Sequence, residues 1–181
     1  MANNKEQALK GKKTIYLAGA IEKVSWEQAT AWRNLTQEFL SEADQYYVIN
    51  PLENKTKVDK YNYNPTTIVT NDLNNVSKAD ILIVENHFPS IPRWGTAMEV
   101  AYAYYNVPNK PDILVWGQEN LGYFLKYHAT HHWQTLEALL NFLRPAKLCK
   151  DDIYCLKPLP CSICNNPDEK FYTQRKTSTI I

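Results

Sequence analysis

The chain has 181 residues, with 20 Lys plus Arg against 19 Asp plus Glu and a formal net charge of +1. That length suits one domain with a modest tail and allows about two-thirds of the unfolded surface to be buried, so neither a disulfide nor a metal is needed to hold a core. The balanced charge excludes the basic surplus with which nucleic-acid-binding proteins neutralise phosphate, and it suits a small-molecule site better.

Residues 1–13 are polar and Lys-rich, without the apolar run of a signal peptide. The apolar runs elsewhere, among them 81–84 and 113–116, are too short to span a bilayer. The expectation is a cytoplasmic protein, with no membrane partner, whose cysteines are reduced. Residues 1–12 are expected as a disordered arm.

Residues 13–18 (Lys-Thr-Ile-Tyr-Leu-Ala) read as a buried strand, β-branched and aromatic, ended by Gly19. A loop over 20–25 follows at its carboxyl end. Apolar side chains at 26, 29, 32, 35, 39 and 40 keep close to a 3.6-residue period and predict a helix over 26–43. A short strand over 46–50 is stopped by Pro51. Residues 53–65, rich in Asn, Asp and Lys, are expected as a mobile loop over the site. A helix over 66–76 carries Asp72, and a strand over 81–85 precedes a loop with Pro89 and Pro92. The next helix reaches about Asn106. Strands over 111–116 and 131–133, helical turns over 121–127 and a last helix over 135–143, closed by Pro145, complete the pattern.

Strands alternating with helices predict βαβ units and a parallel sheet. There is no internal repeat and no G-x-G-x-x-G, so dinucleotide binding has no support. From Lys147 the composition changes. Cys149, Cys155, Cys161 and Cys164 lie among Pro158, Pro160 and Pro167 with no amphipathic pattern, so residues 147–181 read as an irregular, cysteine-bearing C-terminal tail. Cys161-x-x-Cys164 has zinc-knuckle spacing, but the intervals to Cys149 and Cys155 are irregular for a zinc ribbon, and free thiols are expected. His128, His131 and His132 lack a partner carboxylate, so no metal and no cofactor are expected.

The stretch Arg93-Trp94-Gly95-Thr96-Ala97-Met98-Glu99 organises the rest. Gly95 permits a sharp turn, Thr96 can cap a helix, and Glu99 then falls on its first turn. Two readings stand. In one, Thr96-x-x-Glu99 is a capping box and Glu99 merely satisfies an orphan amide. In the other, Glu99 is a carboxylate at the top of a parallel sheet, where ligands bind in open α/β folds.

Four segments bear on the choice: Thr14-Ile15-Tyr16-Leu17-Ala18-Gly19, Asn71-Asp72-Leu73, Ala79-Asp80-Ile81-Leu82-Ile83-Val84 and Gly95-Thr96-Ala97-Met98-Glu99. In this order, over about residues 13–143, they resemble the nucleoside 2-deoxyribosyltransferase family. The resemblance implies a flavodoxin-like, three-layer α/β fold with a five-stranded parallel sheet, a catalytic domain over 13–146, and a homo-oligomer. It implies that Glu99 is the nucleophile, that Tyr16 hydrogen-bonds it, and that Asp72 sits near the base. It also implies a substrate surrounded by Gly19, Asn54, Ser90, Gly95, Thr96 and Met98. The family completes its site from a neighbouring subunit after the fourth strand, here residues 120–132, and His128 is the candidate there.

These residue types suit the chemistry. Breaking an N-glycosidic bond leaves a sugar centre resembling an oxocarbenium ion, which a carboxylate stabilises and then traps as a glycosyl ester. An acid such as Asp72 supplies a proton to the departing base. Each residue also has a structural alternative: Tyr16 as a core tyrosine with a backbone partner, Asp72 as a surface charge. Two positions depart from the family. Arg93 stands where the nucleoside-specific branch has an Asp for the sugar 5′-hydroxyl, and Arg suits a phosphate better. Related deoxynucleoside monophosphate N-glycosidases hold a 5′-phosphate around this loop, although Arg93 could equally be a solvated rim charge. Lys55 replaces a base-facing Gln, leaving the base open. The expectation is transfer of deoxyribose between nucleobases. The alternatives are 5′-monophosphate hydrolysis and a non-catalytic nucleoside-binding protein.

Overall fold

A computed structural model describes residues 11–41, 43–57, 64–88, 91 and 93–144. Five strands, β1 (Lys13–Ala18), β2 (Tyr46–Ile49), β3 (Ile81–Asn86), β4 (Asp112–Gly117) and β5 (His131–Trp133), form one sheet in the order β2-β1-β3-β4-β5. Every pairing is parallel, with Tyr16 opposite Leu82 and Ile49, and Glu85 opposite Trp116. All six residues of β3 are buried. A parallel strand covered on both faces has no solvent side, which is why the sequence shows a continuous apolar run there.

Five helices connect and follow the strands: α1 (Trp26–Ser41), α2 (Pro65–Val76), α3 (Trp94–Asn106), α4 (Gly122–His128) and α5 (Leu136–Leu143). The chain steps from β1 outward to β2, then back past β1 to β3. Right-handed crossovers therefore put α1 on one face and α2, α3 and α4 on the other. Alternation along the strands agrees with this. Tyr16, Ala18, Leu82, Val84, Ile113 and Val115 pack in one cluster with Val76 of α2 and Val100 and Ala103 of α3. On the opposite face, Trp32 of α1 meets Trp116 of β4 edge-on, with centroids 5.7 Å apart. The switch in winding direction falls between β1 and β3, and in such folds the carboxyl ends of those strands open a crevice.

Local chemistry sets the helix starts. At α1, Ser25 Oγ accepts from the Gln28 amide (3.0 Å) and Gln28 Oε1 accepts from the Ser25 amide (2.8 Å), a reciprocal capping box. At α2, Asn64 Oδ1 accepts from the Thr66 amide and Pro65 occupies the first turn, where its missing N–H costs nothing. The same pattern at Thr96-x-x-Glu99 does not cap anything. α3 begins at Trp94, with Arg93 as its N-cap residue and no side-chain cap bond, so Thr96 and Glu99 are already inside the helix. Thr96 points inward because it shares a stripe with Val100 and Ala103, all three buried. Gly95 takes no turn either. It is a helical residue with open space where a Cβ would stand.

The remaining boundaries shift slightly from the sequence expectation. α1 ends at Ser41 and β3 runs on to Asn86. Leu35, counted in the apolar stripe of α1, faces solvent. Residues 58–63 of the expected mobile loop, and the cysteine-bearing extension from Lys147, lie outside the described residues. No described helix is long and apolar enough to cross a membrane.

Candidate active site

Three elements bring ionisable side chains together at the carboxyl end of the sheet. Tyr16 comes from the fourth position of β1, on the face that α2 and α3 cover, and is fully buried. Its hydroxyl donates to Glu99 Oε1 at 2.7 Å, from strand to helix across 83 residues of sequence. Asp72, on α2, is partly buried and bears electrostatically on both groups. The bond is short, and when Glu99 ionises it becomes charge-assisted, the kind that locks an acceptor carboxylate in one orientation.

Burial dominates the electrostatics. It pushes the Glu99 carboxyl up from 4.5 to about 8, with the Asp72 charge raising it further, while the Tyr16 hydrogen bond and the Arg33 charge pull it down. Asp72 is likewise raised by burial, against the lowering effects of Lys55, Tyr16 and Arg33. The Tyr16 phenol is driven far above its ordinary value by burial and by the carboxylates of Glu99 and Asp72, so it serves as a fixed donor. Two carboxyl groups that both resist ionisation, one gripped by a phenol, form a pair able to divide the roles of acid and base.

Two further charged residues are fully buried near the end of β1, Glu85 and Arg33, and sequence reasoning passed over both. Glu85 is 1% exposed. One carboxylate oxygen accepts from the Ala20 amide at 3.3 Å, and the other from the His87 and Phe88 amides. Arg33 of α1 donates to the carbonyls of Gly19 (2.9 Å) and Ala29 (2.5 Å) and more loosely to that of Ala20 (3.4 Å). A signal existed for Arg33: it shares its helical stripe with Ala29, Thr36 and Leu40, all buried. A charge on a buried stripe asks for a reason.

A cleft of about 540 Å³ lies on the other flank of α3, between that helix, the end of β3, and α4 with the loop that leads into it. Its walls include Val84, Asn86, Arg93, Trp94, Thr96, Asn120 and Tyr123; Tyr16, Asp72 and Glu99 are not among them. Arg93 Nη1 donates to the Glu85 carbonyl (2.9 Å) and to Asn86 Oδ1 (2.7 Å). Its Nε and Nη2 are buried without a hydrogen-bond partner.

The other sequence candidates scatter. Gly19 is a packing position, because a Cβ there would stand 2.8 Å from Glu85 Cβ and 2.9 Å from Trp32 Cζ2. Asn54 is exposed in the left-handed region at φ 59°, and Met98 is exposed on α3. His128 is buried among Tyr104, Tyr105, Phe124 and Tyr127, with Nδ1 2.7 Å from the Phe124 carbonyl; it stands behind Phe124, a wall of the cleft, and does not itself line it. Ser90 lies outside the described residues. Among the described residues, no group of three His, Cys, Asp or Glu could hold a metal ion.

No family model and no curated protein matches the sequence. Solved structures do. The chain superposes on a 2-deoxyribosyltransferase from the psychrotolerant bacterium Bacillus psychrosaccharolyticus with a TM-score of 0.53, at 19% identity, covering 71% of this chain and 90% of that one. The chain shares the fold of that structure. A conserved protein from Enterococcus faecalis V583 superposes with a TM-score of 0.52 at 17% identity, covering 72% of this chain and 96% of that one. The expected flavodoxin-like arrangement with five parallel strands is therefore the fold of the protein.

Proposed function

We propose that this chain is a nucleoside 2-deoxyribosyltransferase-like enzyme that cleaves the N-glycosidic bond of 2′-deoxynucleosides with Glu99 as nucleophile. The observation that carries the reading is the 2.7 Å bond from Tyr16 to Glu99, which holds one carboxyl group in a fixed orientation. The fold of the characterised transferase supports it.

In this mechanism the free oxygen of Glu99 attacks C1′ as the bond to the base lengthens. The C1′–N bond breaks, its electron pair leaves with the base, and Asp72 in its protonated form supplies the proton. Burial favours that protonated form. A second base then displaces Glu99 from the face the first one left, giving its proton to the Asp72 carboxylate, so configuration is retained and the acid is restored; if water does so instead, free deoxyribose results. Burial also raises the energy of the ionised nucleophile, and a developing positive charge on the sugar relieves that cost in the transition state. The exposed Trp94, Met98, Tyr105, Tyr123 and Tyr127 of α3 and α4 support assembly of several copies over that face.

One observation favours a second reading. The two unpartnered nitrogens of Arg93 form the side-on edge of its guanidinium, while Nη1 is pinned and fixes the plane. That edge matches two oxygens of a phosphate. A 2′-deoxynucleoside 5′-monophosphate, hydrolysed at the same Glu99, would place a phosphate there.

One chromatographic experiment tests both. The protein is incubated with a deoxynucleoside and a different free base, and separately with the 5′-monophosphate. A new deoxynucleoside that disappears in Glu99→Ala supports transfer. Free base from the monophosphate alone supports the hydrolase. Full activity in Glu99→Ala would falsify both readings, and a ligand-induced melting shift with no turnover would point to a binding protein.

A further inference from the structure

Arg33 is the largest fully buried side chain of the described residues, at 0% exposure, and neither the proposed chemistry nor the hydrophobic core calls for it. A buried guanidinium costs several kcal/mol to desolvate, so it survives where its hydrogen bonds and charge are used. Its two Nη atoms serve three carbonyls, at Gly19, Ala20 and Ala29. Its plane rests on the Trp32 ring, with Cζ 4.5 Å from the centroid. Ala20 is thereby held at both polar atoms, its carbonyl by Arg33 and its amide by the Glu85 carboxylate. Gly19, between them and the end of β1, has no room for a side chain. The loop that continues the Tyr16 strand is clamped from α1 and from β3 together.

We propose that Arg33 is a positioning residue of the Glu99 site: its guanidinium clamps the β1–α1 loop behind Tyr16 and is the fixed positive charge behind the carboxyl pair. The groups that bear on Glu99 are Tyr16 from β1, Asp72 from α2 and Arg33 from α1, and Arg33 is the one cation among them. Lys55 acts on Asp72, and Glu85 of β3 acts on Arg33 itself. Burial lowers Arg33 only to about 10, so it stays protonated at neutral pH. Arg33 thus favours the ionised form of Glu99 and offsets part of the penalty that burial places on it. A lysine could keep the charge but could not span three carbonyls with a planar fork.

The inference deepens the reading of Glu99 as nucleophile, but its test needs no turnover. The full chain is labelled with ¹³C at glutamate Cδ, and the Glu99 resonance is assigned by its loss in Glu99→Gln. Its titration is then followed by NMR in the natural chain, Arg33→Met and Arg33→Lys, together with amide hydrogen exchange at Ala20. The expected result is a Glu99 midpoint about half a pH unit or more higher in Arg33→Met and near the natural value in Arg33→Lys. Exchange at Ala20 is expected to be about tenfold faster in both. An unmoved midpoint in folded Arg33→Met overturns the proposal, as does unchanged Ala20 exchange in either variant. Where Arg33→Met does not fold, Arg33→Lys decides: faster exchange with an unmoved midpoint upholds the clamp, and protection equal to the natural chain sinks it. Absence of glycosyl transfer would remove the enzymatic reading while leaving these titrations as they stand.

Discussion

Replacing Glu99 by Gln should stabilise this protein, and by an amount that grows with pH. The carboxyl stands at about 8 in the folded chain against an ordinary 4.5, chiefly because burial disfavours its charge. Folded molecules therefore bind more protons than unfolded ones between those values, and stability falls as pH rises through that window. At about 1.4 kcal/mol per pH unit, the loss relative to acidic solution is about 1 kcal/mol at pH 5, about 3 at pH 7 and roughly 4–5 by pH 9. Gln keeps the shape and an acceptor for the Tyr16 hydroxyl without the ionisation, so the variant escapes this loss. The difference at pH 7 corresponds to a rise in melting temperature of roughly 6–12 °C for a domain of this size. Melting or urea curves of both proteins at pH 5, 7 and 9 measure it directly. A difference independent of pH, or a Gln variant weaker at pH 9, would refute the reasoning. The second outcome is what a solvated carboxylate aiding the positive end of its helix would give. A gain in stability on removing the supposed nucleophile is also what a working site predicts.

Three further expectations follow from the same geometry. Tyr16→Phe removes a 2.7 Å bond to a carboxylate, so it should cost about 1.5–3 kcal/mol in urea denaturation at pH 9. The cost should fall to about 1 kcal/mol at pH 5, where the acceptor is neutral. Gly117→Ala should destabilise by about 3 kcal/mol or more in thermal melts, because Gly117 sits at φ 126° with its would-be Cβ 2.4 Å from the Asn86 carbonyl carbon. Arg93→Met should weaken any 5′-monophosphate by about 10²-fold in calorimetric titration and leave the unphosphorylated nucleoside within about twofold; equal weakening of both would remove the phosphate reading.

How far the sequence reaches is clearest where one pattern occurs twice. Ser25-x-x-Gln28 and Thr96-x-x-Glu99 both have capping-box spacing, yet only the first caps a helix. Spacing states which bonds could form; it does not state where the helix starts, and α3 starts early enough to free Glu99 for Tyr16. The strands were legible because parallel strands covered on both faces carry apolar cores, so the runs 15–18, 81–84 and 113–116 stand out from their polar surround. The existence of α1 was legible from its 3.6-residue period, and helix ends only to within a turn.

The amino-acid sequence by itself determined the alternation of strands and helices, and hence a parallel sheet. It also brought Tyr16, Asp72 and Glu99 into view, though only together with a family resemblance, since no local period links positions so far apart. Tertiary structure alone decided which flank of α3 each candidate side chain takes: Glu99 meets Tyr16 on one, and Arg93 and Thr96 line a cleft on the other. It alone revealed Arg33 and Glu85, and it alone buried His128 among aromatic rings. The physical reason is shared. Burial and its electrostatic consequences depend on what packs from distant segments, and a charge is costly or useful according to neighbours that the linear chain does not name.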